Sequence, residues 1–255
     1  MSDTHTVLTV NVGGGVEYID LAKELSQNNH RLYRQGRVYH ADIVMTNTIA
    51  AGQPHTVETI APTWMARKAW QLAFRKWRES TQHERDNGIK AGRWNDFRIL
   101  YDSAMSATTT LTGGEYLYTT GVGADGTTRT FQMFGATSAG RFGVLAEYDS
   151  LRDTDTDTPA AGSAAMPYSA LLAELDDAQA NQIQEDGDLP PYHATQLRST
   201  VQTFRLRAPA ESNYYRTGMI QIPCGLIKVN IPGGGDIQVK VKTGKYKGVH
   251  AEAMS

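Results

Sequence analysis

The sequence predicts a mainly β protein: an antiparallel β-sandwich carrying two or three inserted α-helices. Three observations point there. First, apolar and polar residues alternate on both sides of Pro232-Gly233-Gly234-Gly235-Asp236 within 214–254. That is the period of strands with one buried face, joined by a turn. Second, short β-branched and aromatic runs recur along the chain between Gly-, Pro- and Asp-rich breaks. Third, strand and helix signals do not alternate regularly, which argues against a doubly wound α/β fold.

In chain order, His5 to Val12 reads as a strand that stops at Gly13-Gly14-Gly15. A short polar helix is expected from Asp20, its N-cap, to about Asn28. Val38–Met45 and His55–Ile60 are further strands. Residues 62–87 switch to helical composition, with Pro62 and Thr63 at the start and Asn87-Gly88 as the stop. Phe97–Tyr101, Glu115–Thr120, Thr127–Phe134 and Phe142–Tyr148 read as strands, and 149–165 as a loop. A second helix is expected over 167–185, then an acidic loop through Pro190-Pro191. Leu197–Arg207 and the closing strands complete the sheet. The whole chain, 1–255, reads as a single β-sandwich domain, a size at which all-β domains often remain undivided.

Composition narrows the function classes. With 40% hydrophobic and 20% charged residues, the chain is globular rather than disordered. A net charge of −2 argues against the whole protein being a nucleic-acid binder. Cys224 is the single cysteine, so no internal disulfide forms and a reducing compartment is expected. The first residues lack the basic and apolar regions of a signal peptide, and no apolar run approaches a membrane span.

Several motifs look chemical and read better as structure. Gly121 to Gly126 matches G-x-G-x-x-G, but the loop leads into a strand rather than a helix, and Asp125-Gly126 is a hairpin turn signal. Asp149, Asp153, Asp155 and Asp157 resemble the start of a calcium loop. Counted from Asp153, the sixth and twelfth places hold Thr158 and Ala164 instead of Gly and Glu. A solvated acidic loop and an irregular cation site in 153–157 both remain open readings. His5, His30, His40, His55, His83, His193 and His250 show no close ligand spacing, so neither metal nor cofactor is expected. Cys224 reads as a small buried residue rather than a nucleophile. The neighbours Asp176-Asp177 and Glu185-Asp186 cannot easily share one site, and no catalytic constellation is expected.

The helix at 62–87 carries the sharpest signal. On a wheel of ~100° per residue, Arg67, Arg78 and Arg85 nearly coincide, with Arg75 and Lys68 within ~100°. Trp70, Trp77, Ala66 and Ala73 gather on an adjoining sector. Two readings stand. One is a cationic ridge for phosphates, an acidic partner or a membrane surface. The other is an amphipathic helix that buries its tryptophans and solvates its arginines. The acidic run Glu185, Asp186 and Asp188 of a neighbouring copy is one candidate partner, and the tail with Tyr246 and His250 is long enough to reach beyond the sandwich.

The Thr- and Gly-rich strands, the helical insertions and the closing run Ile220-Gln221-Ile222-Pro223-Cys224-Gly225-Leu226-Ile227 together resemble a jelly-roll capsid protein. The closest likeness is to capsid proteins of circular single-stranded DNA viruses and related small tailless phages. The resemblance is architectural. It implies a jelly-roll β-sandwich that self-assembles into an icosahedral shell, with copies of itself and packaged nucleic acid as partners. It also implies a virion protein assembled in the host cytoplasm or nucleus. One departure is clear: residues 1–20 hold no Lys or Arg, whereas many such proteins carry a basic arm there. The alternative is a β-sandwich carbohydrate- or ligand-binding module, with Trp94, Tyr116, Tyr118, Tyr214 and Tyr215 as stacking platforms.

Overall fold

A computed structural model describes residues 4–45, 55–82, 86–88, 92–105, 110–111, 114–115, 117–123, 125–153, 201–206 and 215–254. Two antiparallel sheets dominate. The first runs β1 (Val7–Val12), β13 (Gly235–Val241), β3 (Arg37–Met45), β11 (Tyr215–Pro223), with β16 (Ala251–Ala253) added beside β3. The second runs β10 (Val201–Leu206), β4 (His55–Ile60), β12 (Leu226–Ile231), β2 (Gly15–Asp20). Their alternating apolar residues meet in one core: Leu8 and Val12 of β1, Ile43 of β3 and Ile237, Val239 and Val241 of β13 from one sheet, with Ile19 of β2, Val57 of β4 and Ile227, Val229 and Ile231 of β12 from the other. Each such side chain contributes ~1.5–3 kcal/mol on leaving water.

The closing strands are strands, as their periodicity predicts, but they do not pair with one another. β11 lies in the first sheet, β12 in the second and β13 back in the first. Each turn therefore carries the chain across the core. Cys224 and Gly225 make the first crossing, both at positive φ (58° and 67°), with the Gly225 N–H donating to the Ile222 carbonyl at 3.1 Å. The Gly233-Gly234 turn makes the second. Gly234 has φ 69°, and a Cβ there would lie 2.9 Å from the Val12 carbonyl oxygen, because this turn packs on the Gly13-Gly14 crossing from β1 to β2. The two glycine runs thus fit one another.

The two helices described before residue 100 begin where side-chain caps place them. The Asp20 carboxylate accepts from the Lys23 N–H at 3.0 Å and starts α1 (Leu21–Asn29). The Thr63 hydroxyl accepts from the Ala66 N–H at 3.3 Å and starts α2 (Trp64–Ser80), a run of good helix formers. α2 ends at Ser80, earlier than Asn87-Gly88 suggests.

The described residues of 61–153 form a lobe inserted after β4. It holds α2, a two-stranded sheet of β5 (Thr110–Leu111) and β6 (Gly114–Glu115), and a three-stranded sheet of β7 (Thr120–Val122), β8 (Thr128–Gln132) and β9 (Arg141–Gly143). α3 (Val144–Asp153) closes it. The G-x-G-x-x-G loop is a turn between paired β7 and β8, tied by the Asp125–Arg129 ion pair at 2.6 Å.

Three sequence expectations change here. Phe97–Tyr101 forms no full strand: it joins the lobe's sheet through the bridge of Leu100 to Gln132 and through the Thr119 and Phe134 N–H groups, which donate to the Arg98 and Tyr101 carbonyls, while the Arg98 and Ile99 N–H groups bond to the Thr119 hydroxyl and the Gln35 side chain. Phe142–Tyr148 is mostly helix: Val144, Leu145 and Tyr148 turn onto a second core, a helical rather than a strand spacing. β2 is a strand the sequence reading lacked. Its brief alternation, Val16-Glu17-Tyr18-Ile19, is hidden behind the glycine run. The helix expected at 167–185 lies outside the described residues. Among the described residues, no helix is long and apolar enough to cross a membrane.

Gly234→Ala is expected to lower unfolding free energy by about 1–3 kcal/mol in urea titration, from the left-handed backbone and the crowded Val12 carbonyl. Gly233→Ala, where an added Cβ meets nothing within 4 Å, should stay within ~0.5 kcal/mol. Equal effects at the two positions would refute the packed-crossing account.

Candidate functional site

α2 lays one face on the second core. Ala66, Ala69 and Trp70 are buried there, and Trp70 stacks on Phe74 at 5.0 Å and meets Phe97 edge-on. Phe97 also touches Trp77 and Phe131, so one fully buried ring ties the helix to β8. Gly36 makes room for this: a Cβ there would approach the Trp70 ring to 2.7 Å. The tryptophan sector is thus structural, and the cations fall on the other side.

Lys68, Arg75, Lys76 and Arg78 are exposed, and Arg67 is half-buried. Glu79 reaches two of them, Lys76 at 3.1 Å and Arg75 at 4.0 Å. Exposed pairs of this kind are worth ~0–1 kcal/mol, so they leave the ridge open to a stronger anionic partner. The Arg78 guanidinium sits 5.8 Å over the Phe74 ring. Arg85, like Glu185, Asp186 and Asp188, lies outside the described residues, as do Asp155 and Asp157 of the acidic run. Asp149 of that run belongs to α3, so no loop begins at it.

The tail does not reach outward. β16 pairs with the start of β3, the Met254 N–H donates to the Gly36 carbonyl, and Met254 is buried beneath α2. Gln71 of α2 donates to the Met254 carbonyl at 2.7 Å. Tyr246 packs edge-on to Tyr33 and under the Arg37 guanidinium, 4.1 Å from its ring. Its hydroxyl accepts from the Arg34 N–H. Tyr246 is therefore an internal contact. His250 lies against His40, ring centres 4.5 Å apart, with Glu252 beside both. Sequence spacing could not reveal this group, because strand pairing joins residues more than 200 positions apart.

A buried polar chain fixes the inserted lobe to the sheets. Gln35 donates to Asp20 at 2.6 Å and accepts from the Ile99 N–H at 2.7 Å, and its own N–H donates to Asp96. Arg34 pairs with Asp96 at 2.9 Å. Burial lifts the Asp20 carboxyl from its ordinary 3.8 to about 6, against the lowering effect of the Lys23 N–H and Gln35. Burial also raises Asp96.

Besides the open groove over Arg75, Arg78 and Asp86, two clefts among the described residues border α2. One, of about 300 Å³, is apolar and lined by Leu72, Trp77, Phe131, Phe142, Val144 and Tyr148. The other, of about 490 Å³, opens beside exposed Trp94. Of the other stacking candidates, Tyr118 and Tyr215 are buried and so present no platform, while Tyr116 and Tyr214 lie outside the described residues. Cys224 is wholly buried and its thiol is pushed up by that burial, the opposite of an activated nucleophile. Comparison of the chain with protein-family models, with curated proteins and with solved structures returns no match.

The raised Asp20 makes stability depend on pH. Native Asp20 keeps a proton that the unfolded chain has released, so its contribution is complete below about pH 3.8 and lost as pH rises through about 6. Asp20→Asn, which retains the capping oxygen, is expected to flatten part of the fall in unfolding free energy across that window. An unchanged slope in pH-resolved denaturation would count against a buried, proton-holding Asp20.

Proposed function

We propose that this chain is a shell subunit, a jelly-roll β-sandwich that self-assembles into the capsid of a small icosahedral virus. The observation that carries the reading is the strand order. Numbered one to eight along the chain, the principal strands are β1, β2, β3, β4, β10, β11, β12 and β13. The first pairs with the eighth, the second with the seventh, the third with the sixth and the fourth with the fifth. That nesting is one long antiparallel ribbon. Rolling the ribbon brings the eighth strand beside the third and the seventh beside the fourth, as β13 lies beside β3 and β12 beside β4. This pairing order supports the jelly-roll reading, an arrangement of two four-stranded sheets used by capsid and lectin domains.

Surface chemistry favours assembly among those uses. Val7, Val16 and Met219 are exposed apolar residues, and all three lie on edge strands, β1, β2 and β11. Edge strands with apolar side chains are templates for another copy. The α2 ridge, with Lys68, Arg75 and Arg78, supplies a cationic surface for packaged nucleic acid or for an acidic patch on a neighbour. The ligand-binding alternative keeps Trp94 but loses Tyr118 and Tyr215 to the core.

Size-exclusion chromatography with electron microscopy over a range of salt and pH is expected to show closed particles of uniform diameter. A protein that stays monomeric in every condition would sink the shell reading. Arg75→Glu with Arg78→Glu should reduce particle yield or nucleic-acid content several-fold while circular dichroism stays unchanged. Particles of unaltered yield and content would remove the ridge from the assembly.

A further inference from the structure

We propose that His40, His250 and Glu252 form a binding site for a divalent first-row transition metal, zinc foremost, that pins the last strand to β3. The site is built by pairing. β16 and β3 pair with Ala251 opposite Tyr39 and Glu252 opposite Val38, which sets His250 opposite His40. Residues two apart on a strand share a face, so Glu252 joins His250 on the side where His40 points. The arrangement rests on backbone bonds on both sides: the His250 N–H donates to the Lys242 carbonyl and the Lys242 N–H to the His40 carbonyl.

The distances suit a metal. Glu252 Oε1 lies 3.5 Å from His40 Nε2 and 3.7 Å from His250 Nε2, and all three donor atoms fall within 4.8 Å of one another. Ligands ~2.0–2.2 Å from zinc at tetrahedral corners stand ~3.4 Å apart, so a small closure of the two imidazoles completes the geometry. His40 Nε2 is shielded from solvent and lacks a well-formed hydrogen bond, a donor that the fold itself leaves unused. The side chains of His250 and Glu252 are 37% and 50% exposed, which leaves a path for the ion and a place for water as a fourth ligand. Two imidazoles and one carboxylate select zinc, cobalt, nickel or copper over magnesium and calcium. The nearby charges do not occupy the group. Asp42, two residues along β3, is engaged by Arg216 at 2.5 Å, and Lys242 adds a positive charge that weakens affinity without blocking the donors.

The test uses the full chain, stripped with chelator and returned to zinc, cobalt or magnesium chloride near neutral pH. Isothermal titration is expected to give one zinc ion per chain and none for magnesium, and cobalt should develop a visible ligand-field band. Zinc should also raise Tm and slow amide exchange across 251–253. His250→Ala and Glu252→Gln change a half-buried and an exposed group and are expected to fold. Each should weaken zinc binding by more than the ~10–100-fold that loss of a merely orienting partner costs. His30→Ala, an exposed histidine on another element, should bind as the parent does. Absence of zinc binding in the parent, or binding unchanged in both His250→Ala and Glu252→Gln, overturns the site. Neither result depends on whether the chain forms shells.

Discussion

The corner at Cys224 and Gly225 is the constraint from which the rest of the structure follows. Two residues carry the chain from one sheet to the other, and both adopt left-handed backbone to do so. Gly225 is hemmed in: a side chain there would meet Leu21 and Tyr39 at 3.2 Å. Its carbonyl accepts from the Leu21 N–H at 2.8 Å, so the corner also begins α1. The residue before Leu21 is Asp20, which holds Gln35, which in turn holds Asp96 and the Ile99 N–H. One turn thus connects both sheets, the first helix and the inserted lobe through consecutive hydrogen bonds. A buried polar chain of this kind is stabilising only when its members are satisfied together.

The lobe grips the sheets at two further places. On the second sheet, Glu58, Lys228 and Tyr18 stand side by side across β4, β12 and β2. Asp102 of the lobe covers them, accepting from the Tyr18 hydroxyl at 2.9 Å with Lys228 Nζ 3.4 Å away. On the first sheet, Val38, Met254 and Trp70 pack together beneath α2. The cationic ridge is therefore displayed on a helix anchored by buried aromatic rings. A charge on such a helix keeps its position.

Much of the architecture was legible in local sequence. Caps at Asp20 and Thr63 located two helices, and alternation at Ile237-Gln238-Val239-Lys240-Val241 marked a half-buried strand. Local signals report which face is buried but not which partner buries it. That is why β11, β12 and β13 could be recognised as strands while their alternation between sheets could not. It is also why His40 and His250 read as scattered residues. Residues 142–148 failed differently: Arg141-Phe142-Gly143 does begin as a strand, and the change to helix at Val144 answers to the second core rather than to composition.

The nested pairing carries a kinetic cost as the chain is made. Val7 of β1 has its partner in Lys240 of β13, roughly 230 residues later. At ~5–20 residues per second, synthesis leaves the first strand without its partner for ~10–50 seconds. Its alternate apolar residues are exposed during that interval, and so long-range a pairing is intrinsically slow to form even once both strands exist. Nascent chains on neighbouring ribosomes present the same unpaired β1 to one another, at high local concentration. Chaperone capacity during translation therefore bears on the yield of this protein as well as the stability of the finished fold.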